Sequence, residues 1–297
     1  MVVKRLDIDF SHNVKRLEVV TKDLVSSSFV GNYQSVFKGR GLEFESYRPY
    51  ESTDDASLID WKASMRSNGL VVKEYAEERN LEVFFLLDAC STMLYGTQAK
   101  LKNEYAAEIV AALSYTVLQA GDSVGLGMFA GEVVQKLPPT SGPKQYYTIL
   151  KQLSDPNNYG GKRDFASAIQ FLNRFLKDKM LLIIVSDFID LHGEWERYLK
   201  IAARKFNVIG VMVRDPVDLE LPDEGGQVML EDAFSERQLL VDVHKARAEY
   251  NTLAHEQARQ VKETFIRSKA EFVELTTDKQ FIVPITAFFK RRARKMR

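Results

Sequence analysis

From Leu81 onward, short apolar runs alternate with longer segments in which apolar residues recur at helical spacing. The runs LEVFFLLD, MLLIIVSDFID and NVIGVMV predict buried strands, and AKLKNEYAAEIVAALSYTVLQAG, DFASAIQFLNRFLK and GEWERYLKIAARKF predict helices. Strands that are apolar throughout are typical of a parallel sheet covered by helices on both faces. The pattern therefore predicts an α/β domain, with a mostly parallel sheet, over residues 81–297.

Two segments break this alternation of strands and helices. DSVGLGMFAG and EVVQKL predict a pair of strands that turns at Gly131, and the segment at about 214–243 predicts an inserted β-hairpin because short alternating runs lie between Pro and Gly residues. A long polar helix, the strand EFVELTT and the helix QFIVPITAFFKRRARK are expected to follow the insertion.

Residues 1–80 are predicted to form a separate N-terminal segment of mixed α/β character. VKRLEVVTKDLV has helical spacing, whereas the glycine-punctuated stretch after it favours short strands and turns. We expect this segment to pack against the following domain and its charged residues, such as Arg48 and Asp60, to be paired. The apolar side chains expected to be packed are Phe44, Tyr47, Tyr50, Ile59 and Trp61.

Composition and charge exclude several classes of function. The formal net charge of the 297 residues is +0, which gives no field for nucleic acid, and a single cysteine forbids an internal disulfide. The longest apolar run, MLLIIV, is far shorter than the roughly 20 residues of a membrane-spanning helix. The N-terminal MVVKRLDIDF lacks the pattern of a signal peptide. We therefore expect a cytoplasmic protein without a membrane span or a nucleic-acid partner.

Candidate chemistry lies where the predicted strands end. Asp88, Cys90 and Thr92 follow the first buried strand, Asp187 ends a later one, and the GGKRDF loop lies between them. The carboxyl ends of parallel strands meet at one edge of a sheet, where ligands bind. Carboxylate and hydroxyl oxygens are hard ligands suited to magnesium or manganese. The pattern resembles the Asp-x-Ser-x-Ser metal loop of von Willebrand factor A-like domains.

The chain is identified as a member of the domain-of-unknown-function 58 family by a longer resemblance. FKGRGLEFESYRPYESTDDASLIDWKASMRSNGLVVKEYAEER runs directly into the Asp88 loop, and RDPVDLELP, ELTTD and FFKRRAR match later. The matching positions of the first stretch are Gly39, Gly41, Glu43, Phe44, Arg48, Tyr50, Asp54, Asp55, Ile59, Asp60, Trp61, Lys73, Glu74 and Glu78. Many members are encoded beside MoxR-type AAA+ ATPases, so the resemblance implies a non-catalytic adaptor for such an ATPase, acting on an unidentified client.

The same resemblance implies a degenerate metal site. Asp88, Thr92 and Asp187 fit ligand positions, but Cys90 replaces a serine, and Arg163 or Lys162 replaces a threonine. A thiol is a poor ligand for magnesium, and a guanidinium beside two carboxylates could neutralise them without an ion. We expect no cofactor, although a weak magnesium or manganese ion remains open if Arg163 points to solvent. The expected partner-binding face consists of Asp88, Thr92, Arg163 and Asp187.

An enzymatic alternative also starts from Asp88. The loop DACST is similar to the Asp-x-Asp-x-Thr loop of haloacid-dehalogenase-type phosphatases, in which the first aspartate is the nucleophile. Cys90 stands where that class has its general acid, and no clear catalytic lysine loop follows. The four histidines are scattered without the spacing of metal ligands. The interaction function is therefore preferred to the phosphatase.

Overall fold

The structure is a computed structural model that describes residues 10–25, 30–31, 33, 44–67, 69–75, 81–177, 179–223, 226–231 and 237–295. Within these ranges, none of the helices combines the length and the apolar character needed to cross a membrane.

A six-stranded sheet in the order β10-β7-β6-β3-β4-β5 forms the centre of the molecule. All neighbouring strands pair in parallel except β5, which runs antiparallel to β4 at one edge. The mostly parallel sheet is therefore confirmed, as is the strand pair predicted on either side of Gly131. The strands are β3 (Glu82–Asp88), β4 (Ser123–Phe129), β5 (Val133–Thr140), β6 (Leu181–Ser186), β7 (Asn207–Arg214) and β10 (Glu271–Thr276).

Helices cover both faces of this sheet and form two hydrophobic cores. Strand β3 contributes to both, because its successive side chains alternate: Phe84 and Leu86 lie in one core, and Phe85 and Leu87 lie in the other. The helices of the Phe85 core are α3 (Lys102–Gln119), α4 (Pro143–Ser154) and α8 (Ile282–Lys295), and those of the Phe84 core are α5 (Phe165–Phe175), α6 (Trp195–Lys205) and α7 (Val243–Arg267).

The N-terminal segment contributes two helices, α1 (Phe10–Leu24) and α2 (Trp61–Ser67), and the strands β1 (Phe44–Pro49) and β2 (Val71–Tyr75). Helix α1 packs against α3 and α4. Tyr33 is buried in the Phe85 core, and its hydroxyl donates a hydrogen bond of 3.0 Å to Asp122. Strands β1 and β2 form their own antiparallel pair. The segment is thus tied to the sheet domain through α1 and Tyr33.

The expected packing of the N-terminal aromatics is wrong for Trp61, whose exposed fraction is 63%. Tyr47 is also nearly half exposed, although its hydroxyl reaches Asp60. The expected charge pairing is present: Arg48 contacts Asp54 at 2.6 Å, and Lys73 contacts Asp60 at 3.0 Å. Of the family positions, Gly39, Gly41, Glu43 and Glu78, together with the side chains of Phe44 and Glu74, lie outside the described residues.

The predicted insertion contains a hairpin, with strands β8 (Gln227–Glu231) and β9 (Gln238–Asp242) paired antiparallel. It forms a two-stranded sheet of its own. The segment leaves the main sheet after β7 and returns at the start of α7, where the Asp242 side chain accepts a hydrogen bond from the Lys245 backbone. Because β7 is one of the parallel strands, the insertion begins at the edge of the sheet that carries Asp88 and Asp187.

Candidate functional site

The loops after β3 and before α5 are joined by backbone hydrogen bonds. Gly160 N–H donates to the carbonyl of Ala89 at 2.7 Å, and Ser91 N–H donates to the carbonyl of Gly161 at 3.0 Å. Gly160 and Gly161 have φ values of 113° and 91°, which residues with a Cβ rarely adopt. The glycine pair therefore bends the loop onto the Asp88 loop. This arrangement carries Arg163 to the ends of β3 and β6.

The guanidinium of Arg163 lies at the centre of the predicted site. Its Nε donates to Asp88 Oδ2 at 2.8 Å, and its Nη2 lies 2.5 Å from Asp187 Oδ1. Nη2 also lies 2.6 Å from Thr92 Oγ1 and 2.9 Å from Cys90 Sγ. Nη1 donates to the carbonyl of Ile189. Thus each of the three nitrogens has an acceptor inside the protein, and one guanidinium joins all the predicted ligand positions.

Asp88 is fully buried, and both of its carboxylate oxygens accept hydrogen bonds. Oδ1 accepts from Cys90 N–H at 3.0 Å, and Oδ2 accepts from the Ser186 hydroxyl at 2.6 Å as well as from Arg163. Ser186 was not among the predicted site residues. Its position at the end of an apolar strand, immediately before Asp187, is the sequence feature that could have identified it.

A second buried cation completes the charge arrangement. The Nζ of Lys102 lies 2.9 Å from Asp187 Oδ2 and 2.8 Å from Asp218 Oδ2, and the exposed fraction of the lysine side chain is 1%. Asp187 Oδ1 accepts hydrogen bonds from Arg163 and from Ile189 N–H. Arg163 and Lys102 therefore contact different oxygens of the same carboxylate. Lys102 was not among the predicted site residues, because a lysine in the first turn of a helix usually faces solvent.

These neighbours shift the pKa values of the buried groups. Burial alone would raise the pKa of Asp187, but Lys102 and Arg163 outweigh it and lower that pKa. Burial alone would lower the pKa of Lys102, and the Asp187 and Asp218 carboxylates raise it instead. Burial, assisted by the Asp88 charge, raises the pKa of the Cys90 thiol to about 12. At pH 7 the site therefore contains an ionised Asp187, the Lys102 and Arg163 cations and a neutral Cys90 thiol.

The loop after β6 has an unusual backbone. Phe188 and Asp190 have positive φ values of 51° and 55°, although neither is glycine, and Phe188 is fully buried. Buried Arg214 donates from Nε to the carbonyl of Asp187 at 2.6 Å, and Gln257 Nε2 donates to the carbonyl of Phe188 at 2.7 Å. Strained residues of this kind persist where the surroundings fix them, and they concentrate at functional sites.

The arranged side chains do not fit a divalent cation. Every carboxylate oxygen of Asp88 and Asp187 already accepts a hydrogen bond, and the Thr92 hydroxyl faces a guanidinium nitrogen. A neutral thiol is a poor ligand for magnesium or manganese. Among the described residues, no group of three or more His, Cys, Asp or Glu side chains is placed to hold a metal.

The four residues predicted to bind a partner differ in exposure. Asp88 and Asp187 are fully buried, the Arg163 side chain is 2% exposed, and Thr92 is half-buried. More exposed residues lie in the same loops. Tyr95 is 37% exposed, and Lys162 and Asp190 are also exposed. We call the edge of the main sheet that carries these loops the strand-end face, with Asp88, Thr92, Arg163 and Asp187 as its floor and Tyr95, Lys162 and Asp190 as its rim.

Sequence comparison finds relatives of the chain in bacteria. The model of a family described as "Protein of unknown function DUF58" matches residues 46–260. An uncharacterised protein of Mycobacterium tuberculosis is 27% identical over 285 residues, which cover 95% of this chain and 89% of the relative. The uncharacterised protein YeaD of Bacillus subtilis is 27% identical over 109 residues, covering 37% of this chain and 25% of the relative.

Structural comparison agrees with the predicted fold class. The protein BatB from Bacteroides thetaiotaomicron has a TM-score of 0.50 at 18% identity, covering 72% of this chain and 100% of that chain. A von Willebrand factor type A protein from Catenulispora acidiphila has a TM-score of 0.38 at 9% identity, covering 75% of this chain and 44% of that chain. The predicted α/β fold class, a mostly parallel sheet with helices on both faces, is confirmed by the strand order and by the two cores.

Proposed function

The chain belongs to the DUF58 family, and we propose that it is a non-catalytic adaptor that binds a protein partner through the strand-end face. The observation that carries this proposal is the complete internal pairing of Asp88 and Asp187 by Arg163 and Lys102. That pairing fixes the loops in one arrangement without a bound ion. A preorganised surface loses less conformational entropy when a partner binds.

The floor of this face is, in this proposal, a degenerate metal site. A divalent cation would bring two positive charges to Asp88 and Asp187, and Arg163 and Lys102 bring the same number from within the chain. Unlike a bound ion, these cations neither dissociate nor leave an open position for a ligand from a partner. The partner would therefore contact the rim, and its binding would not depend on magnesium or manganese.

The rim has the chemistry of a protein contact surface. Tyr95 offers an exposed aromatic ring, and its face lies 5.9 Å from the buried Lys102 ammonium. Tyrosine is enriched among the residues that dominate binding energy in protein interfaces. Lys162 and Asp190 supply one charge of each sign nearby. The partner that we propose is a MoxR-type AAA+ ATPase, as the family resemblance implies, with a client protein that is still to be identified.

The proposal is tested by measuring binding of the purified chain to the MoxR-type ATPase of the same organism. We expect Tyr95→Ala and Lys162→Glu each to weaken binding about tenfold, the size of effect produced by about 1.4 kcal/mol. Both residues lie on the rim, and neither is a member of the buried ion pairs. Lys200→Glu, on the exposed surface of α6, is the matched control and is expected to have no effect.

Equal effects of Lys162→Glu and Lys200→Glu would remove the assignment of this face. Absence of binding by the native chain would remove the ATPase as the partner. The binding measurement is repeated in the presence of a chelator of divalent ions. The ATPase is kept free of nucleotide, so that its own requirement for magnesium does not affect the result. Loss of binding under chelation would contradict an ion-independent face.

A further inference from the structure

The β8–β9 hairpin exposes apolar side chains on one face, and among the residues that the structure describes its two strands pair only with each other. Its register places Met229 opposite Leu240, and their exposed fractions are 57% and 55%. The hairpin is a separate two-stranded sheet, and such hairpins are marginally stable in water unless something packs on them. Apolar pairs exposed in this way mark contact surfaces. The exposed Met229–Leu240 pair therefore favours contact with a further apolar surface.

Carboxylates flank the same face of the hairpin. Side chains two residues apart share a face of a strand, so Glu231 lies beside Met229, and Asp242 lies beside Leu240. The sequence of segment 220–243 contains seven acidic residues and one arginine. Two of the acidic residues, Asp223 and Asp242, contact Arg247 and Lys245 of α7. The segment still keeps an excess of carboxylates, which favours a covering surface that combines apolar side chains with cations over a second hairpin.

Helix α2 of the N-terminal segment presents that combination. Trp61 and Met65 are four residues apart, so they lie on one side of the helix, and they are 63% and 78% exposed. Lys62 and Arg66 are exposed and form the adjacent row. Neither of these cations has an ion-pair partner in the part of the chain that the structure describes. Helix α2 thus offers two apolar side chains and two cations.

We propose that a second copy of the chain covers the hairpin face with helix α2, in a reciprocal dimer. Within one chain both surfaces remain exposed, so neither covers the other there. Between two copies, Trp61 and Met65 meet the Met229–Leu240 pair, and the cations of α2 meet the carboxylates of the hairpin. A two-fold arrangement repeats this contact and closes the assembly. The contact uses neither the floor nor the rim of the strand-end face, so it stands independently of the proposed adaptor function.

Sedimentation equilibrium of the full chain tests the dimer. We expect the native chain to dimerise with concentration, and to dimerise more weakly as salt screens the opposite charges. Met65→Glu and Leu240→Lys are each expected to weaken dimerisation at least tenfold, because each places a charge in the apolar centre of both contacts. Ile266→Glu, at an exposed apolar residue of α7 with 56% exposure, is the control and is expected to leave the dimer intact.

Mixing the two variants gives the decisive result. A heterodimer of the Met65→Glu and Leu240→Lys chains has one native contact and one contact in which glutamate faces lysine. The mixture is therefore expected to dimerise more strongly than either variant alone. A native chain that stays monomeric, a dimer that both variants leave unchanged, or a mixture as weak as its components would each overturn the proposal. Circular dichroism of each variant confirms that it is folded.

Discussion

The ammonium of Lys102 lies 2.9 Å from Asp187 Oδ2, and the two side chains are 1% and 0% exposed. They are separated by 85 positions in the sequence and meet because α3 begins beside the end of β6. Arg163 holds the other oxygen of the same carboxylate. A buried carboxylate with a cation on each oxygen depends on both of them, because removing one partner of a buried pair leaves charge uncompensated.

Replacing Arg163 by methionine is expected to lower the free energy of unfolding by about 3–5 kcal/mol, the usual result of breaking a buried ion pair. The reason is that Asp88 loses its cation, while Asp187 retains only Lys102. Urea unfolding at pH 7 measures the change. Lys162→Met, at the exposed neighbouring position, is the control, and we expect it to change stability by less than about 0.5 kcal/mol. Equal stabilities of the two variants would show that the ion pairs contribute little.

Stability is expected to fall in acid partly through Asp187, whose pKa is lowered by Lys102 and Arg163 against the effect of burial. A carboxyl with a lowered folded-state pKa binds protons more readily when unfolded. Its contribution is therefore present above the unfolded value of about 3.9 and is lost as pH falls through the folded value. Urea midpoints between neutral pH and pH of about 3 measure this loss. The Asp187→Asn variant should be less stable at pH 7 but should lose less stability on acidification. An unchanged acid dependence would contradict the lowered pKa.

The sequence predicted the position of the site better than its internal chemistry. Asp88 and Asp187 end apolar runs, and parallel strands bring such ends to one edge, so their proximity followed from the pattern alone. Arg163 was expected to reach toward Asp88 or Asp187, and its guanidinium contacts both. Lys102 was not predicted, because its partner is identified only once the strand order places β6 beside β3.

Exposure in the N-terminal segment was harder to predict than its elements. An aromatic residue beside an aliphatic one, as at Ile59 and Trp61, indicates a packed segment but does not say which side faces the protein. Ile59 is partly buried and forms a bridge with Val72, whereas Trp61 lies on the open side of α2. Tertiary contacts decide which side of a short helix faces the protein. The seven residues of α2 contain no long apolar repeat from which that side could be deduced.

The Cys90 thiol is expected to be unreactive in the folded protein. It is 0% exposed, and burial together with the Asp88 charge raises its pKa to about 12. The thiolate is the reactive form, so at pH 8 both its concentration and its access to reagent are low. An aromatic disulfide reagent should label the native chain only as fast as it unfolds. The chain in urea, where an unperturbed thiol has a pKa of about 8.5, should react at once. Rapid native labelling would show that this loop opens.

Removal of Arg163 and Lys102 should convert the floor of the strand-end face into a metal site. The native chain is expected to give no calorimetric signal with magnesium or manganese, because hydrogen-bond donors occupy the oxygens of Asp88 and Asp187. Cys90→Ser with Arg163→Thr supplies two hydroxyls and removes the guanidinium. This double variant is expected to bind manganese only weakly, because Lys102 still lies 2.9 Å from Asp187 Oδ2.

Adding Lys102→Met should strengthen manganese binding at least tenfold over the double variant, since the last competing cation is then gone. Bound manganese should also raise the unfolding temperature of the triple variant, because a ligand that binds only the folded state stabilises it. Asp187→Ala in the triple variant is the control and should abolish both effects. Micromolar manganese binding by the native chain that Asp187→Ala removes would contradict the prediction. It would mean that a metal ion displaces Arg163 and Lys102 from the carboxylates. Metal binding would then regulate the strand-end face.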